Sequence, residues 1–364
     1  MPLSKTPPSA DDALWTCPVT GELQRLRVER SHSTDSYWVN TAKGNFRLDQ
    51  PLRLKPITIP KPWGEEIWYT GSEKRGESRV EGDSGALPLA AFLALDPAAV
   101  TAGLPLVLLK VLVSDPVPGR GELYLEVHRE KAEAYLVTAL DAGAWPTGQA
   151  TMRYGIRAEV RRRYATDDAL RAALADAASK LEAEPARVEY RQALDAFFDT
   201  LPLTPGSHIL SPPGIPHSLP HGVRIVEFQT PTYERLILAA SQPVVTQERW
   251  DSQTAAQILA LHSPSRAENS ASQSEPTELP AGHRQLAAFN DFGARQLELG
   301  SEPLRLPVGS GAAVALCTRG VVRLGDITLA EEQAVLIPAA ARTKPLALAA
   351  DGDRAEIAIA APDL

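Results

Sequence analysis

The chain has 364 residues, 44% of them hydrophobic, and a formal net charge of −8. That length allows two domains with a sizeable core, and the acidic balance, without a basic cluster carrying interleaved aromatics, argues against nucleic acid as a partner. No apolar run approaches the roughly 20 residues that span a bilayer, and MPLSKTPPSADDA lacks an apolar core of the secretory type, so the sequence predicts a cytoplasmic protein without a membrane partner. Cys17 and Cys317 are too few and too far apart for a cysteine zinc site or a disulfide framework. The 31 prolines favour turns and short strands over long helices.

In chain order, residues 1–12 read as disordered. Residues 13–55 carry short strand-like runs (ELQRLRVERS, DSYWVNT, NFRLDQPLRLKPI) and form a small N-terminal β segment, 1–55. ITIPKPWGEEIWYTG alternates like a strand, and ALPLAAFLALDPAAV, 86–100, reads as a short helix. LPLVLLKVLVSD is a near-continuous apolar run of strand length, which predicts burial on both faces. Residues 156–200 are rich in Ala, Leu, Glu and Arg. A Thr-Asp start signal in ATDDAL and the break at Pro185 predict two or three inserted helices. Strands return at GSHILSPPGIPHSLPHGVRIVEFQT, and a helix is expected near SQTAAQILALH. Residues 263–282 have the Ser/Glu/Pro composition of a flexible linker. From 283 to 364, short strands separated by turn residues predict a second β-sandwich or barrel.

One stretch carries chemistry. In GELYLEVHREKAEAYLVTAL, 121–140, Leu123, Leu125 and Val127 share one face of a strand, and Tyr124, Glu126 and His128 the other. A turn-like REKA follows, and a second alternating run opens with Glu133, so the pattern predicts a half-buried hairpin. Gly121, Glu126, His128 and Glu133 resemble the first motif of the cupin superfamily, G-x5-H-x-H-x3,4-E-x6-G. Glu126 stands for the first histidine, the first gap is one residue short, and Leu140 stands for the closing glycine. Downstream, Gly206, Pro212, Gly214 and His217 match the second motif, G-x5-P-x-G-x2-H-x3-N, with His221 at its last position. Taken alone, each histidine or glutamate here is an ordinary polar residue of a strand. Together, buried inside a barrel, they are costly unless paired or bound to a metal dication. The resemblance places Glu126, His128, Glu133 and His217 around one ion, with an open position for water or substrate. His208 and His221 read as structural or rim residues, and His32, His262 and His283 as loop residues without signal.

Residues 58–240, and more weakly the C-terminal region, resemble type I mannose-6-phosphate isomerase, a zinc-dependent cupin that interconverts mannose 6-phosphate and fructose 6-phosphate. PKPWGEEIW, with Trp63, resembles its opening tryptophan-glycine segment, LPLVLLKVL the strand that carries a lysine, here Lys110, towards the site. LYLEVH falls where that family has Leu-Ser-x-Gln-x-His, KAEAYLV resembles its Lys-x-Glu segment, and QTPTYERL the segment ending in a catalytic arginine. The resemblance implies a mainly β protein of two cupin-like jelly-roll barrels: a metal-binding domain, 56–262, with a helical insertion at about 156–200, and a C-terminal degenerate barrel, 283–364. It implies Zn2+, or another dication, on Glu126, His128, Glu133 and His217. Arg235 and Lys131 take catalytic positions, and Lys110, Tyr124 and Trp63 substrate-binding ones. The departures are Glu126 for a glutamine, Tyr124 for a serine, Arg129 and Glu130 for Pro-Asp, and an extra residue before Arg235. In LAEEQAVLIPAAARTKPL a worn second motif keeps Pro338 but has Thr343 at the histidine position, and no histidine follows His283. A barrel without metal, serving packing or dimer contacts, is therefore expected there.

The implied activity is that of an intramolecular oxidoreductase in carbohydrate metabolism: an aldose–ketose isomerase of a sugar phosphate, working through an enediol as a monomer or homodimer. Lys131 and a carboxylate are both candidates for the base. Two alternatives remain open at the level of sequence. His128, Glu133 and His217 alone form the two-His-one-carboxylate set of an iron oxygenase, although a fourth ligand leaves fewer positions for oxygen. A non-catalytic sugar-binding cupin is favoured by Tyr124 and Arg129.

Overall fold

The structure is a computed structural model that describes residues 9–33, 36–264 and 283–364. It is mainly β, as expected. Its described residues fall into two compact units: one within Met1–Ile59, Ile67–Lys110 and Ser274–Leu364, the other within Pro60–Glu66 and Val111–Gln273. The boundaries expected from sequence run differently. Segment 1–55 shares a unit with 283–364, and 67–110 joins them. Strand pairing is the reason: Leu52–Lys55 runs antiparallel to Ala334–Ile337, with Leu52 opposite Leu336. The expected linker lies outside the described residues from 265 onward, and the expected disorder at 1–12 does so for 1–8. Residues 9–12 correct that expectation, because Ser9–Thr16 is a strand paired along its length with Leu23–His32.

In the second unit two sheets face each other. One orders its strands as His208–Ser211, Glu133–Leu140, Val223–Gln229, Leu108–Ser114, Gly64–Trp68 and Ile57–Lys61. The other orders them as Phe198–Leu203, Ala150–Ile156, His217–Ser218, Leu125–Val127 and Leu236–Ala239. Tyr135, Val137, Ile209 and Ile225 of the first sheet pack against Met152, Tyr154, Leu203 and Ile237 of the second. Alternate residues of each strand thereby fill the space between the sheets.

The expected hairpin at 121–140 is corrected. Leu125–Val127 and Glu133–Leu140 do not pair; they belong to opposite sheets, and residues 128–132 cross from one to the other. The facing expected from alternation holds for Leu125 and Val127, which pack outward in a second core cluster, and for Tyr124, which packs inward; Leu123, expected with the first two, packs against the inward cluster instead.

The outward cluster is where the insertion docks. Three helices, Ala158–Arg163, Asp167–Ala183 and Val188–Asp195, follow the 150–156 strand, and Pro185 stands in the break between the last two. Leu170, Leu174, Ala178 and Leu181 repeat at three- and four-residue spacing and form the buried stripe of the longest helix. Thr166 caps it by accepting the Ala169 N–H at 3.2 Å, and Asp167 and Asp168 complement the first turn. With the expected helix Ser252–Ile258, these elements cover Leu125, Val127, Leu238 and Ala239.

In the first unit a twelve-stranded sheet runs from Ser9–Thr16 at one edge to His283–Ala288 at the other, and a four-stranded sheet holds Leu304–Leu306, Leu346–Ala350, Val321–Leu324 and Ile327–Ala330. Leu297, Val322, Leu324, Leu329, Val335, Ile337 and Ile357 form the core of its C-terminal part. The run at 86–100 is partly corrected: Ser84–Pro88 is a strand, followed by short helices Leu89–Leu93 and Pro97–Thr101. His32 and His283, expected in loops, lie in strands. Cys17 and Cys317 are free thiols. Among the described residues no helix is long and apolar enough to cross a membrane.

Candidate metal centre

The crossing at 128–132 builds the site. Glu126 and His128 end the inner face of one strand, and the turn delivers Glu133 to the start of the next. The turn is held from three sides. Glu234 accepts the N–H groups of Arg129, at 2.9 Å, and Glu130, at 3.3 Å. Ala132 N–H donates to Thr230 Oγ1 at 3.0 Å, and Gly214 N–H donates to the His128 carbonyl at 2.8 Å. Gly214 has φ of +84°, a left-handed conformation that glycine adopts freely, which explains the motif glycine three residues before His217. Gly121 is needed for a different reason: a Cβ there would meet the Asp115 carbonyl oxygen at 1.7 Å.

Strand register then brings the fourth residue in. Glu126 pairs directly with His217, and Glu133 stands opposite Ser211 on one side and Gln229 on the other. Each of Glu126, His128, Glu133 and His217 offers an oxygen or nitrogen within 4.8 Å of the others'. Ligands on opposite sides of one ion at about 2.0–2.2 Å each stand roughly 4 Å apart, so the set is nearly closed for a single ion. His128 Nε2 lies 3.2 Å from Glu133 Oε2 and 3.6 Å from Glu126 Oε1, and His217 Nε2 lies 3.0 Å from Glu133 Oε2. His128 is 1% exposed, yet neither of its ring nitrogens makes an aligned hydrogen bond. A buried imidazole without hydrogen bonds is costly in a folded protein, and a dication facing it removes the cost. The donor set fits a metal on this observation alone. His217 is also oriented to meet an ion. Its Nδ1 lies 2.8 Å from Ser211 Oγ and 3.0 Å from the Ile215 carbonyl, which leaves Nε2 for the metal.

The electrostatics keep both carboxylates and Lys131 charged and the Tyr135 phenol neutral. Burial opposes the charge of Glu133, but His128 and the Lys131 ammonium, with which it is ion-paired, hold its carboxyl well below the usual range. Burial likewise opposes the charge of Glu126, and the neighbouring His128 and Lys131 outweigh it, again lowering the carboxyl. Lys131 is pushed down by burial and up more strongly by Glu133, Glu126 and Glu227, so it stays an ammonium. Burial and the adjacent Glu133 both push the Tyr135 phenol up.

The remaining sequence candidates sit as follows. Tyr124 is buried beside Trp63 and Tyr135, and its hydroxyl donates to the Pro243 carbonyl at 3.3 Å. The Arg235 guanidinium lies 5.1 Å from the Tyr124 ring centre and donates to Thr246 Oγ1 at 2.7 Å. Lys110 is buried, with its ammonium 5.9 Å from the Trp68 ring centre. His221 stacks on Trp145 at 4.7 Å. Three buried residues of this region escape the motif reading: Ser211, Tyr135 and Glu227, the last two directly opposite in register. Their signal is a period of two, which puts Tyr135 on the face of Glu133 and Glu227 on that of Gln229.

Fold and site together give a mainly β protein of cupin-like fold with an internal histidine–carboxylate cluster that could hold a metal ion. The structures it is similar to are phosphomannose isomerases. Mannose 6-phosphate isomerase from Bacillus subtilis superposes with a TM-score of 0.64 at 14% identity, covering 86% of this chain and 99% of that one. A point mutant of phosphomannose isomerase from Salmonella typhimurium gives 0.65 at 13%, covering 86% and 100%. The chain thus has their fold over nearly its whole length, on a widely diverged sequence. No family model matches the sequence, and no curated protein does so significantly.

Proposed function

We propose that this protein is a metal-dependent aldose–ketose isomerase of a sugar phosphate, interconverting mannose 6-phosphate and fructose 6-phosphate through an enediol. The observation that carries the reading is the convergence of Glu126, His128, Glu133 and His217 on one buried point, with the Lys131 ammonium against Glu133. The likeness to phosphomannose isomerases supports the substrate class. A dication bound there, zinc in this reading, supplies the positive charge that stabilises oxygen anions developing on the open-chain sugar.

The chain's own groups divide the rest. Lys131, an ammonium against Glu133, is suited to place positive charge beside the developing oxygen anion, and Lys131 and a carboxylate are both candidates for the base that reaches the carbon-bound proton. Arg235, a cation 5.1 Å from the Tyr124 ring centre, is suited to hold a phosphate or an enediolate. Lys110 is a further cation for substrate, and Trp63 and Tyr124 wall the approach. An assay coupling fructose 6-phosphate formation to mannose 6-phosphate addition tests the reading. Wild type is expected to turn over and His217→Ala to lose at least about 100-fold. A folded wild type inactive with mannose, glucose and arabinose phosphates defeats it.

A further inference from the structure

Glu133 divides its two oxygens between two partners. Oε1 takes the Lys131 ammonium, whereas Oε2 faces His128 Nε2 at 3.2 Å and His217 Nε2 at 3.0 Å. Oε2 is therefore the oxygen on the ion's side. The Tyr135 hydroxyl goes to that same oxygen, at 2.5 Å, and stands 3.2 Å from His217 Nε2. The hydroxyl donates to Oε2, which has a second lone pair to turn to an ion, and unlike Lys131 the Tyr135 oxygen also stands beside His217 Nε2. Donors that share one ion at about 2.1 Å stand roughly 3 Å apart when adjacent, and the hydroxyl keeps that order of spacing to both neighbours.

We propose that the Tyr135 hydroxyl oxygen is a fifth donor to the ion, completing a set of two nitrogens and three oxygens with Glu126, His128, Glu133 and His217. The assignment rests on the metal-centre reading above and adds a ligand to it. Its geometric basis is the strand itself: Glu133 and Tyr135 are two residues apart and share the inward face, and Tyr135 is buried. A third oxygen donor shifts the preference of the centre away from four-coordinate zinc towards dications that favour oxygen, manganese among them. It also leaves one position fewer for substrate oxygens.

Cobalt(II) titration of the chelator-stripped full chain, read by visible absorption, tests this. Five-coordinate cobalt absorbs more weakly than four-coordinate cobalt. Wild type is expected to show weak bands. Tyr135→Phe is expected to show severalfold stronger ones, with affinity reduced about 10- to 100-fold. Ser211→Ala, which acts on the far side of the His217 ring, is expected to lower affinity and leave band intensity unchanged. Identical bands in wild type and Tyr135→Phe overturn the fifth donor, whatever their affinities. A folded wild type that takes up no cobalt overturns the metal centre itself, and the fifth donor with it.

Discussion

The interiors of the two units are filled on opposite principles. In the C-terminal part of the first unit, the core cluster among the described residues is aliphatic side chains with one buried thiol, Cys317, and no charge. Its buried arginine, Arg342, lies outside that cluster and is paired with Asp363 at 2.5 Å. The second unit buries two histidines, a lysine and Glu133 between its sheets, with Glu126 partly exposed beside them. Aliphatic burial stabilises by about 1.5–3 kcal/mol per side chain, whereas buried ions cost several kcal/mol each before pairing. A sandwich of this design needs no polar interior to stand, so the cluster answers to something other than folding. Within the cluster, His128 is the residue whose ring nitrogens make no aligned hydrogen bond and which a bound dication would satisfy.

The sharpest test of that contrast is a cavity in the apolar interior. Ile357→Ala, at a fully buried position, is expected to cost about 2–5 kcal/mol of unfolding free energy. The loss should be the same with and without chelator; a chelator-dependent loss in denaturant melts would mean the metal serves both units. The second test turns the polar interior into a copy of the apolar one. Glu126→Leu, His128→Leu, Lys131→Met, Glu133→Leu, Tyr135→Phe, His217→Leu and Glu227→Leu together should leave the metal-free protein as stable or up to about 4 kcal/mol more so, while abolishing metal binding. A strong destabilisation in the same melts would make the cluster structural. The smallest effect is expected outside both interiors. Thr166→Ala removes a helix cap and should cost about 1 kcal/mol with metal affinity untouched.

Much of the site was legible because strand periodicity reports facing. Leu125 and Val127 against Tyr124, Glu126 and His128 told which side chains turn inward, and Gly214 and His217 marked the returning strand. Periodicity does not report which sheet a strand joins, so 121–140 read as a hairpin although its two strands pair elsewhere. Tyr135 escaped because an inward aromatic looks like packing, and its hydroxyl contacts appear only once Val223–Gln229 and His217–Ser218 are in place. Ser9–Thr16 escaped because SADDALWT has little strand character of its own; its register with Leu23–His32 makes it a strand. Leu52–Lys55 joined a region nearly 280 residues away through pairing that no local pattern announces.

The crossing at 128–132 has a consequence for how the molecule matures. The four clustered side chains sit on both sheets, and His217 arrives some 84 residues after Glu133, beyond the whole helical insertion. One sheet alone brings Glu126, His128 and His217 together but lacks Glu133, which stands on the other. Completion of the set therefore waits for closure of the sheets, and an ion that needed all four side chains would be a late reporter of correct assembly.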